Sequence, residues 1–325
     1  MRFLIAGLGS IGRRHLRNLL ALGQRDIVLY RTHRATLPDD ELAAFPAETD
    51  LRTALNRYRP DAVIVASPTS LHLEVAIPAA QAGCHLLLEK PVAPDLQGVD
   101  ELRRAAQETG ARVLVGFQFR FHPTLRQVRA WLQQGAIGRP LFVRAHWGEY
   151  LPDWHPWEDY RQSYAARADL GGGVVRTLSH PLDYLRFLVG EAEVAWAYTA
   201  RLSDLELQGV EDTAEIGLRF AGGALGSVHL NYHQRPAAHW LEALGTEGTI
   251  QWNYTTGEAR LWQAARGQWE TARLPKGWER NAMFLAEMAH FLAVVRGEAE
   301  PICTLEDGIR ALEFALAALE QPAGG

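Results

Sequence analysis

Glycines near the start of the chain have the spacing of a dinucleotide site. A G-x-G-x-x-G sequence at positions 7–12 directly follows an apolar run, Phe3 to Ala6, and directly precedes an amphipathic stretch that ends near Leu22. In such a turn the first glycine permits the tight bend, the second lets a pyrophosphate approach the backbone, and the third lets helix and strand pack closely. The free amide groups of the helix N-terminus then face the anion. We predict that a dinucleotide is bound here, the alternative being a coincidental glycine turn. The predicted contacts are Gly7, Gly9, Ser10, Ile11 and Gly12.

The residues after the second apolar run indicate which nicotinamide nucleotide is expected. An NAD site usually has an Asp or Glu there for the ribose hydroxyls, but the sequence reads Tyr30-Arg31-Thr32-His33-Arg34 and has no carboxylate. Arg31 can pair with a ribose phosphate and lie flat on the adenine, Thr32 can donate a hydroxyl, and Arg34 adds charge. NADP(H) is therefore favoured. NAD(H) is the alternative, in which case the arginines are solvated surface charges.

Aromatic and charged side chains are interleaved between His146 and Tyr164, at a higher aromatic density than in the rest of the chain. Aromatic faces beside polar groups suit the mixed apolar and hydroxylated surface of a sugar ring. Pro152 and Pro156 prevent a continuous helix, so the segment is predicted to be a substrate-binding loop. The alternative is an aromatic cluster that buries a domain or subunit interface.

The elements that must position these residues alternate in the N-terminal part of the chain. Apolar runs too continuous for half-exposed strands alternate with helical patterns up to Phe117. Strands of this kind must be covered on both faces, so the pattern predicts an α/β domain with a doubly wound parallel sheet. The expected strands are Phe3 to Ala6, Ile27 to Tyr30, Asp61 to Ala66, His85 to Leu88 and Arg112 to Phe117. The expected helices are Ile11 to Leu22, Asp50 to Tyr58, Leu73 to Ala82 and Leu96 to Thr109.

From about Pro140 the period of the pattern changes. Apolar residues now alternate with polar ones, as in Ala214 to Phe220, which is typical of half-buried antiparallel strands. We expect a C-terminal α+β domain with a large, open, mostly antiparallel sheet, and we place the domains at 1–121 and 122–325. The other strands are expected at Val194 to Leu202, Ala224 to His233, Trp240 to Leu244, Thr249 to Trp252 and Ala259 to Trp262. Two helices are expected at the end of the chain, at Ala282 to Val295 and Leu305 to Leu319. They could pack back on the first domain.

Composition and charge exclude several classes of protein. The chain of 325 residues has a net charge of -5 and no basic stripe, which argues against nucleic acid and an anionic membrane surface as main partners. No segment approaches the ~18 apolar residues of a membrane span, so a cytoplasmic location is expected. Cys84 and Cys303 are far apart and in no metal or redox spacing, and neither a disulfide nor a metal site is expected.

Further motifs give the chain a resemblance to a known family. They are Ala66 to His72, Gly83 to Pro91, Gly116 to Pro123 and Gly245 to Ile250, in addition to the glycine turn. In this order they resemble the Gfo/Idh/MocA family, named after glucose-fructose oxidoreductase, inositol dehydrogenase and a rhizopine catabolism protein, over nearly the whole chain. The resemblance implies a Rossmann domain and an open-sheet domain that often packs against another subunit's sheet, hence a homo-oligomer, either dimer or tetramer. It also implies hydride transfer between a nicotinamide cofactor and a carbinol or carbonyl carbon of a sugar, nucleotide-sugar or inositol-like substrate.

The resemblance assigns roles to the Glu-Lys-Pro segment. In such enzymes its lysine sits beside the nicotinamide, so Lys90 is expected to hydrogen-bond the reacting oxygen and stabilise its negative charge. Pro91 is expected to follow a cis peptide bond. The alternative for Lys90 is a salt bridge with Glu89. The residues expected to line the cofactor cleft are Ser67, Pro68, His72 and Glu89, with Lys90.

His180 matches the family's catalytic histidine. Oxidation of a secondary alcohol needs a group that takes the hydroxyl proton, and the N-terminus of a helix from Pro181 to Gly190 favours the neutral imidazole of such a base. Alternatively, His180 or Ser179 only caps that helix. Asp183, one turn along, either orients the ring of His180 or is the N3 acid of a capping box.

The chain departs from the family pattern at Arg176. The family has an Asp at this position, four residues before the histidine, so a mechanism that needs this carboxylate has no group for it here; Thr177 offers a hydroxyl but no charge. The departure leaves a second hypothesis open, an NADP(H)-binding regulator that kept the fold and lost turnover. The expected substrate contacts are Lys90, Arg120, Trp154, His155, Tyr160, Arg161, Tyr164, Arg176, Thr177 and His180.

Overall fold

The computed structural model describes residues 1–32 and 40–321, and it divides the chain into two compact units. The first unit contains Met1–Gln118 and Arg280–Ile309, and the second contains Phe119–Glu279 and the chain from Arg310 onward. The chain therefore leaves the first unit after the sixth strand and returns to it for one helix near the C-terminus.

The first unit is built on a sheet whose described strands all pair in parallel. The strands are β1 Phe3–Ala6, β2 Ile27–Tyr30, β3 Ala47–Glu48, β4 Ala62–Val65, β5 His85–Leu88 and β6 Val113–Val115. They lie in the order β3-β2-β1-β4-β5-β6. The side chains of β1 and β4 are buried on both faces, as their continuous apolar runs predicted. Only the two-residue β3 was not expected, since its sequence carries no apolar run.

The helices lie close to where the periodicity predicts them. They are α1 Ser10–Ala21, α2 Leu51–Tyr58, α3 His72–Gln81, α4 Val99–Thr109, α5 Pro123–Gln133, α6 Val174–Thr177, α7 His180–Val189, α8 Asn281–Val295 and α9 Leu305–Glu320. Helix α4 begins later than predicted because Gly98 before it adopts a φ of 82°. Helices α5 and α6 were not expected. In the part of the chain that is described, no helix has the length and apolarity to cross a membrane.

The second unit contains the open sheet that the alternating pattern predicted. Its strands are β7 Pro140–Tyr150, β8 Ala192–Ala200, β9 Thr213–Phe220, β10 Leu225–Asn231, β11 His233–Gly245, β12 Gly248–Asn253, β13 Glu258–Gln263 and β14 Gln268–Arg273. They lie in the order β14-β13-β12-β11-β7-β10-β9-β8. Every neighbouring pair is antiparallel except β7 and β10. The predicted fold class, a parallel Rossmann sheet followed by a mostly antiparallel open sheet, is confirmed.

Two predictions about this unit are wrong in detail. The expected binding loop from His146 begins only after Tyr150, because His146 to Tyr150 form the end of β7, in the middle of the sheet. The density of aromatic residues concealed a strand in which Val143, Ala145 and Trp147 are buried. In addition, β11 is far longer than the expected Trp240 to Leu244.

Within residues 1–32 and 40–321, the helices α5, α6 and α7 pack on one face of the open sheet. Helix α5 packs on β12 to β14, α6 on β9 and β10, and α7 on β7. The register places several large apolar side chains on the opposite face, where they stay exposed. They are Trp196, Tyr198, Leu225, Leu244 and Trp269.

Candidate active site

The glycine turn after β1 leaves backbone accessible at one position. Gly7 has a φ of +94°, and a Cβ atom on it would lie 2.3 Å from the backbone nitrogen of Ser67. A Cβ atom on Gly12 would lie 1.9 Å from the carbonyl oxygen of Gly7, whereas one on Gly9 would meet nothing within 4 Å. Gly7 and Gly12 are therefore required by packing, and the space over Gly9 is open. This cradle fits a pyrophosphate that approaches the backbone.

The start of α1 has the electrostatics that an anion requires. Gly9 is in the N-cap position without a side-chain cap, and the first turn, with Ser10 and Ile11, has no acidic residue. The amide groups and the positive end of the helix dipole are therefore not screened by a local carboxylate.

The residues predicted to select the nucleotide follow β2 directly. The backbone nitrogen of Arg31 donates to the carbonyl of Glu48 at 2.9 Å, which continues the pairing with β3. The side chain of Arg31 is half-buried and Thr32 is exposed. Arg34 lies outside the described residues.

His72 ties together two segments that carry predicted cofactor contacts. Its Nε2 lies 3.0 Å from the carbonyl oxygen of Ser67, after β4, and its Nδ1 lies 2.9 Å from that of Pro91, after β5. Burial lowers its pKa, which favours the neutral ring. A neutral ring has one N–H group and can donate to only one of these two carbonyls, but both contacts hold the imidazole between the segments of Ser67 and Pro91.

Lys90 lies at the carboxyl end of β5 and is partly accessible. Burial of its side chain lowers the pKa of the ammonium group to about 8; the charge of Glu89 opposes this shift and that of Arg280 adds to it. The peptide bond between Lys90 and Pro91 is cis, as the resemblance implied. At neutral pH Lys90 is therefore a cation that can also give up its proton, which suits a group at a reacting oxygen.

Glu89, the residue before it, is buried and held by a histidine from α1. The Nε2 atom of His15 lies 2.8 Å from Oε1 of Glu89, and the backbone nitrogen of Lys90 donates to Oε2 at 3.4 Å. Sequence analysis did not single out His15.

In the second unit, His180 is the first residue of α7 and is almost fully buried, with 2% of its surface exposed. Its ring lies 4.8 Å from that of Phe119 and 5.5 Å from that of Trp147, centroid to centroid. Ser179 occupies the N-cap position, but its side chain makes no capping bond. The capping alternative therefore fails for Ser179, and aromatic packing fixes the ring of His180.

Asp183 is paired with Arg120. The Nε and Nη2 atoms of Arg120 donate to its carboxylate at 2.6–3.2 Å, and both side chains are at most 2% exposed. The guanidinium group also lies over the ring of Phe187, 4.7 Å from its centroid. A bidentate buried pair of this kind holds α7 to the segment before α5. The predicted roles of Asp183 at His180 and of Arg120 at a substrate stay predictions.

Arg176 and Thr177 lie in α6, near the half-buried carboxyl group of Glu211, which sequence analysis missed. The backbone nitrogen of Val175 donates to Oε1 of Glu211 at 2.9 Å. Burial raises the pKa of Glu211, while the charge of Arg176 acts in the opposite direction. Thr177 is buried, with 3% of its surface exposed. An acid from another element therefore stands beside the arginine that replaces the family's Asp.

The predicted substrate loop is attached to its own unit by several contacts. Trp154 packs edge-on against Tyr232, with 5.7 Å between centroids. Tyr160 accepts a hydrogen bond from the backbone nitrogen of Glu206 at 3.1 Å, and Arg161 pairs with Asp159 and Glu206. The remaining predicted residues of this loop, His155 and Tyr164, are half-buried. The contacts of Trp154, Tyr160 and Arg161 join this segment to Tyr232 and Glu206.

A cavity of about 400 Å³ in the second unit is lined by residues that sequence analysis did not select. Its wall includes Glu149, His239, Tyr254 and Trp278. The ring of His239 stacks on Trp147 at 4.4 Å, and Trp147 also contacts the ring of His180. The volume is within the range of small-molecule pockets, about 300–1,000 Å³. A signal for His239 was present: it occupies an inward position of β11 that alternation reserves for apolar residues such as Leu241 and Ala243.

The parallel sheet and the glycine turn define the first unit as a nicotinamide-nucleotide-binding Rossmann fold, and comparison with known proteins gives the family. Residues 1–117 match the family described as "Oxidoreductase family, NAD-binding Rossmann fold", and residues 125–251 match "GFO/IDH/MocA C-terminal domain". The chain belongs to the Gfo/Idh/MocA family and is a nicotinamide-dependent oxidoreductase, as the sequence predicted.

The similar proteins are named as reductases or dehydrogenases of anhydrosugars and inositols. The chain is 30% identical to a 1,5-anhydro-D-fructose reductase of Ensifer adhaerens, over 82% of this chain and 78% of that one. It is 28% identical to a myo-inositol 2-dehydrogenase of Thermotoga maritima, over 98% and 95% of the two chains. Among solved structures, it resembles a levoglucosan dehydrogenase in complex with NADH and levoglucosan, with a TM-score of 0.86, 24% identity, and coverage of 99% and 97%. At that identity the likeness shows the fold.

Proposed function

We propose that the chain is a dehydrogenase or reductase that interconverts a carbinol and a carbonyl carbon of a sugar, nucleotide-sugar or inositol-like substrate, with a preference for NADP(H). The observation that carries this is the glycine cradle with open space over Gly9, at the same sheet edge as Lys90. Ligands of open parallel sheets bind at the carboxyl ends of the strands, which is where both lie. The names of the relatives support the substrate class.

The proposed chemistry assigns one task to each residue. A nicotinamide nucleotide held at the turn of Gly7, Gly9 and Gly12 would supply the hydride acceptor or donor. Lys90 donates a hydrogen bond to the substrate oxygen and stabilises the negative charge that develops on it. His180 takes the hydroxyl proton in oxidation and returns it in reduction, with its ring fixed by Phe119 and Trp147.

The cofactor preference follows from the end of β2. Arg31 offers a guanidinium group that can pair with a ribose phosphate, and the sequence through Arg34 contains no carboxylate that would repel it. Arg31→Asp should therefore weaken NADP(H) binding and leave NAD(H) binding intact or improved. Equal loss for both nucleotides would show that Arg31 does not select between them.

Two further features are proposed for the whole protein. The exposed face of the open sheet, on which Trp196 and Tyr198 lie together with charged pairs such as Arg144 and Glu242, is proposed as an interface between copies of the chain. A reducing, cytoplasmic location is consistent with Cys84 and Cys303, which are both buried free thiols.

The test is a binding and turnover experiment on the purified chain. Affinities for NADP(H) and NAD(H) are measured first by titration of nucleotide fluorescence. Hydride transfer is then followed at the nicotinamide absorbance with levoglucosan, 1,5-anhydro-D-fructose, myo-inositol and scyllo-inositol, and with a UDP-linked sugar acid. Nucleotide binding with no turnover on any carbinol or carbonyl compound would favour the regulator hypothesis that Arg176 left open. No binding of either nucleotide would overturn the proposal.

A further inference from the structure

Two helices of the first unit each carry a fully buried ionisable residue. His15 lies on the buried side of α1 with Leu16 and Leu19, where Arg13 and Asn18 are buried as well, and Glu287 lies on the otherwise apolar buried side of α8 beside Met288. Neither His15 nor Glu287 has any exposed surface. Because an unpaired ionisable group is costly to bury, a position of this kind calls for a function.

Glu89 links His15 to the proposed active site, because it contacts His15 and directly precedes Lys90. It follows β5, is 8% exposed, and accepts from Nε2 of His15 at 2.8 Å. A Cβ atom on Gly116 would lie 3.1 Å from its carboxyl group, so the backbone after β6 packs directly against the carboxylate. Its position is therefore fixed from two sides, one residue away from Lys90.

Hydrogen bonding defines where the protons are. Among the described residues, Nδ1 of His15 and both carboxyl oxygens of Glu287 are buried without a hydrogen-bond partner. A second proton on His15 would leave a buried N–H group unsatisfied, so the ring is neutral and donates through Nε2. Glu89 only accepts in these bonds, as an ionised carboxylate does.

Glu287 is the neutral member of the carboxyl pair. Burial raises its pKa well above the ordinary value of a glutamate, and the charge of Glu89 raises it further. Two carboxyl groups that interact in a buried site retain one proton between them, and the group with the better donor ionises. His15 makes Glu89 that group.

We propose that His15 is a positioning residue that holds a single negative charge on Glu89, next to Lys90, while Glu287 stays neutral, and that this charge determines the charge that Lys90 carries at the reacting oxygen. The inference rests on the role proposed above for Lys90. The charged and titratable groups that face this region are His15 from α1, His72 from α3, Glu89 after β5, and Arg280 and Glu287 at α8.

The sign of each effect on Lys90 follows from its charge. Burial and the cation of Arg280 favour the neutral amine, whereas the carboxylate of Glu89 favours the ammonium. Without the charge of Glu89, the pKa of Lys90 should fall below its value of about 8, and the residue would lose its proton near neutral pH. A neutral Glu287 makes no such contribution by itself.

The sequence permits a direct measurement, because Lys90 and Lys276 are the only lysines in the chain. In the full-length Lys276→Arg protein, labelled with 13C-lysine, the Cε resonance reports the titration of Lys90 alone. Glu89→Gln should lower the midpoint by about one unit or more, a size typical for loss of one adjacent charge. His15→Phe should lower it by less, since Glu89 loses the donor that localises its charge. Glu287→Gln should leave it unchanged, since an amide reproduces the neutral acid.

Controls separate a change of charge from a change of fold. Arg280→Gln should move the midpoint in the opposite direction, upward. If Glu287→Gln does not fold, Glu287→Met replaces it, because methionine also fits the apolar stripe of α8. The midpoint of Lys90 should again be unchanged. Where a substrate is turned over, the alkaline limb of kcat/KM should move with the midpoint in each variant, a shift that a purely structural residue would not produce.

Two results would overturn the inference. If the titration midpoint of Lys90 falls as far in Glu287→Gln as in Glu89→Gln, Glu287 is ionised. If the midpoint is unchanged in Glu89→Gln, the charge of Glu89 does not act on Lys90. The readout does not require catalysis. A chain with the expected titrations and no turnover would therefore contradict the proposed function alone, and active enzyme with unshifted titrations would contradict this inference alone.

Discussion

At the scale of single residues, the sequence was informative where a residue type is required by its own backbone or by a local motif. Gly7 and Gly12 are examples, since their packing allows no side chain. Pairings over long distances could not be predicted: His15 meets Glu89 across 74 positions, and Arg120 meets Asp183 across 63. The available signal was a polar residue in an apolar stripe, which identifies burial but not the partner.

Lys90 provides the prediction that belongs to this scale. In Lys90→Ala we expect kcat to fall by about two orders of magnitude or more, because the oxygen loses its charged donor. Nucleotide affinity should change by no more than a few fold, since the pyrophosphate cradle is formed by backbone. The measurement is steady-state kinetics together with a nucleotide titration. Lys276→Ala, at an exposed position, is the matched control. Unchanged turnover in Lys90→Ala would remove this lysine from the chemistry.

At the scale of elements, periodicity located most of the strands and helices. It failed at β7 because the aromatic residues of the strand were interpreted as a loop, although Val143, Ala145 and Trp147 already follow period two. The candidate site was only partly predictable for the same reason. His239 and Glu149 become cavity residues through the register of β11 with β7, which no local pattern encodes.

Two glycines of the turn between β1 and α1 are expected to have different roles, Gly12 in stability and Gly9 in nucleotide binding. Gly12→Ala should destabilise the protein by about 1–3 kcal/mol or more, because the new Cβ atom would overlap the carbonyl of Gly7. Gly9→Ala should leave the unfolding temperature nearly unchanged, since its Cβ atom has space, but should weaken nucleotide binding about tenfold or more. Thermal unfolding and nucleotide titration on both variants test this contrast. Normal affinity in Gly9→Ala would place the pyrophosphate elsewhere.

The pair between Arg120 and Asp183 links α7 to the segment before α5, and its loss should be large. Asp183→Asn leaves a buried guanidinium without its counter-charge, so we expect a loss of about 3–5 kcal/mol in denaturant unfolding. The double variant Arg120→Met with Asp183→Leu removes both charges and should be less destabilised than Asp183→Asn. If the single variant unfolds like the natural protein, the pair contributes little to stability.

At the scale of the whole molecule, buried histidines make stability depend on pH. Burial lowers the pKa of His122 from 6.5 to about 4. Between these values the unfolded chain binds a proton that the folded chain does not, so stability is greatest above pH 6.5 and falls as the pH approaches 4. The loss from this one group is about 3 kcal/mol, from ~1.4 kcal/mol per pKa unit.

His122→Gln should flatten this dependence, which is measured by urea unfolding at several pH values. His155→Gln, at a half-buried loop position, is the matched control. An equal slope in the natural protein and in His122→Gln would assign the acid sensitivity to other groups, of which His72 is the first candidate because burial lowers its pKa as well.

The uncovered face of the open sheet leads to a prediction about assembly. Trp196 and Tyr198 on β8 are 42% and 59% exposed, and Leu225 on β10 is 54% exposed. Since α5, α6 and α7 pack on the other face, a second copy of the chain would bury these side chains by pairing the two sheets. We expect sedimentation to show an oligomer that dissociates into folded monomers in Trp196→Arg with Tyr198→Glu. Trp157→Glu changes a side chain that is more exposed, at 67%, but lies in a loop, and should not affect assembly. A monomer at micromolar concentration in the natural protein would contradict the proposed interface without affecting the nucleotide site, which lies in the other unit.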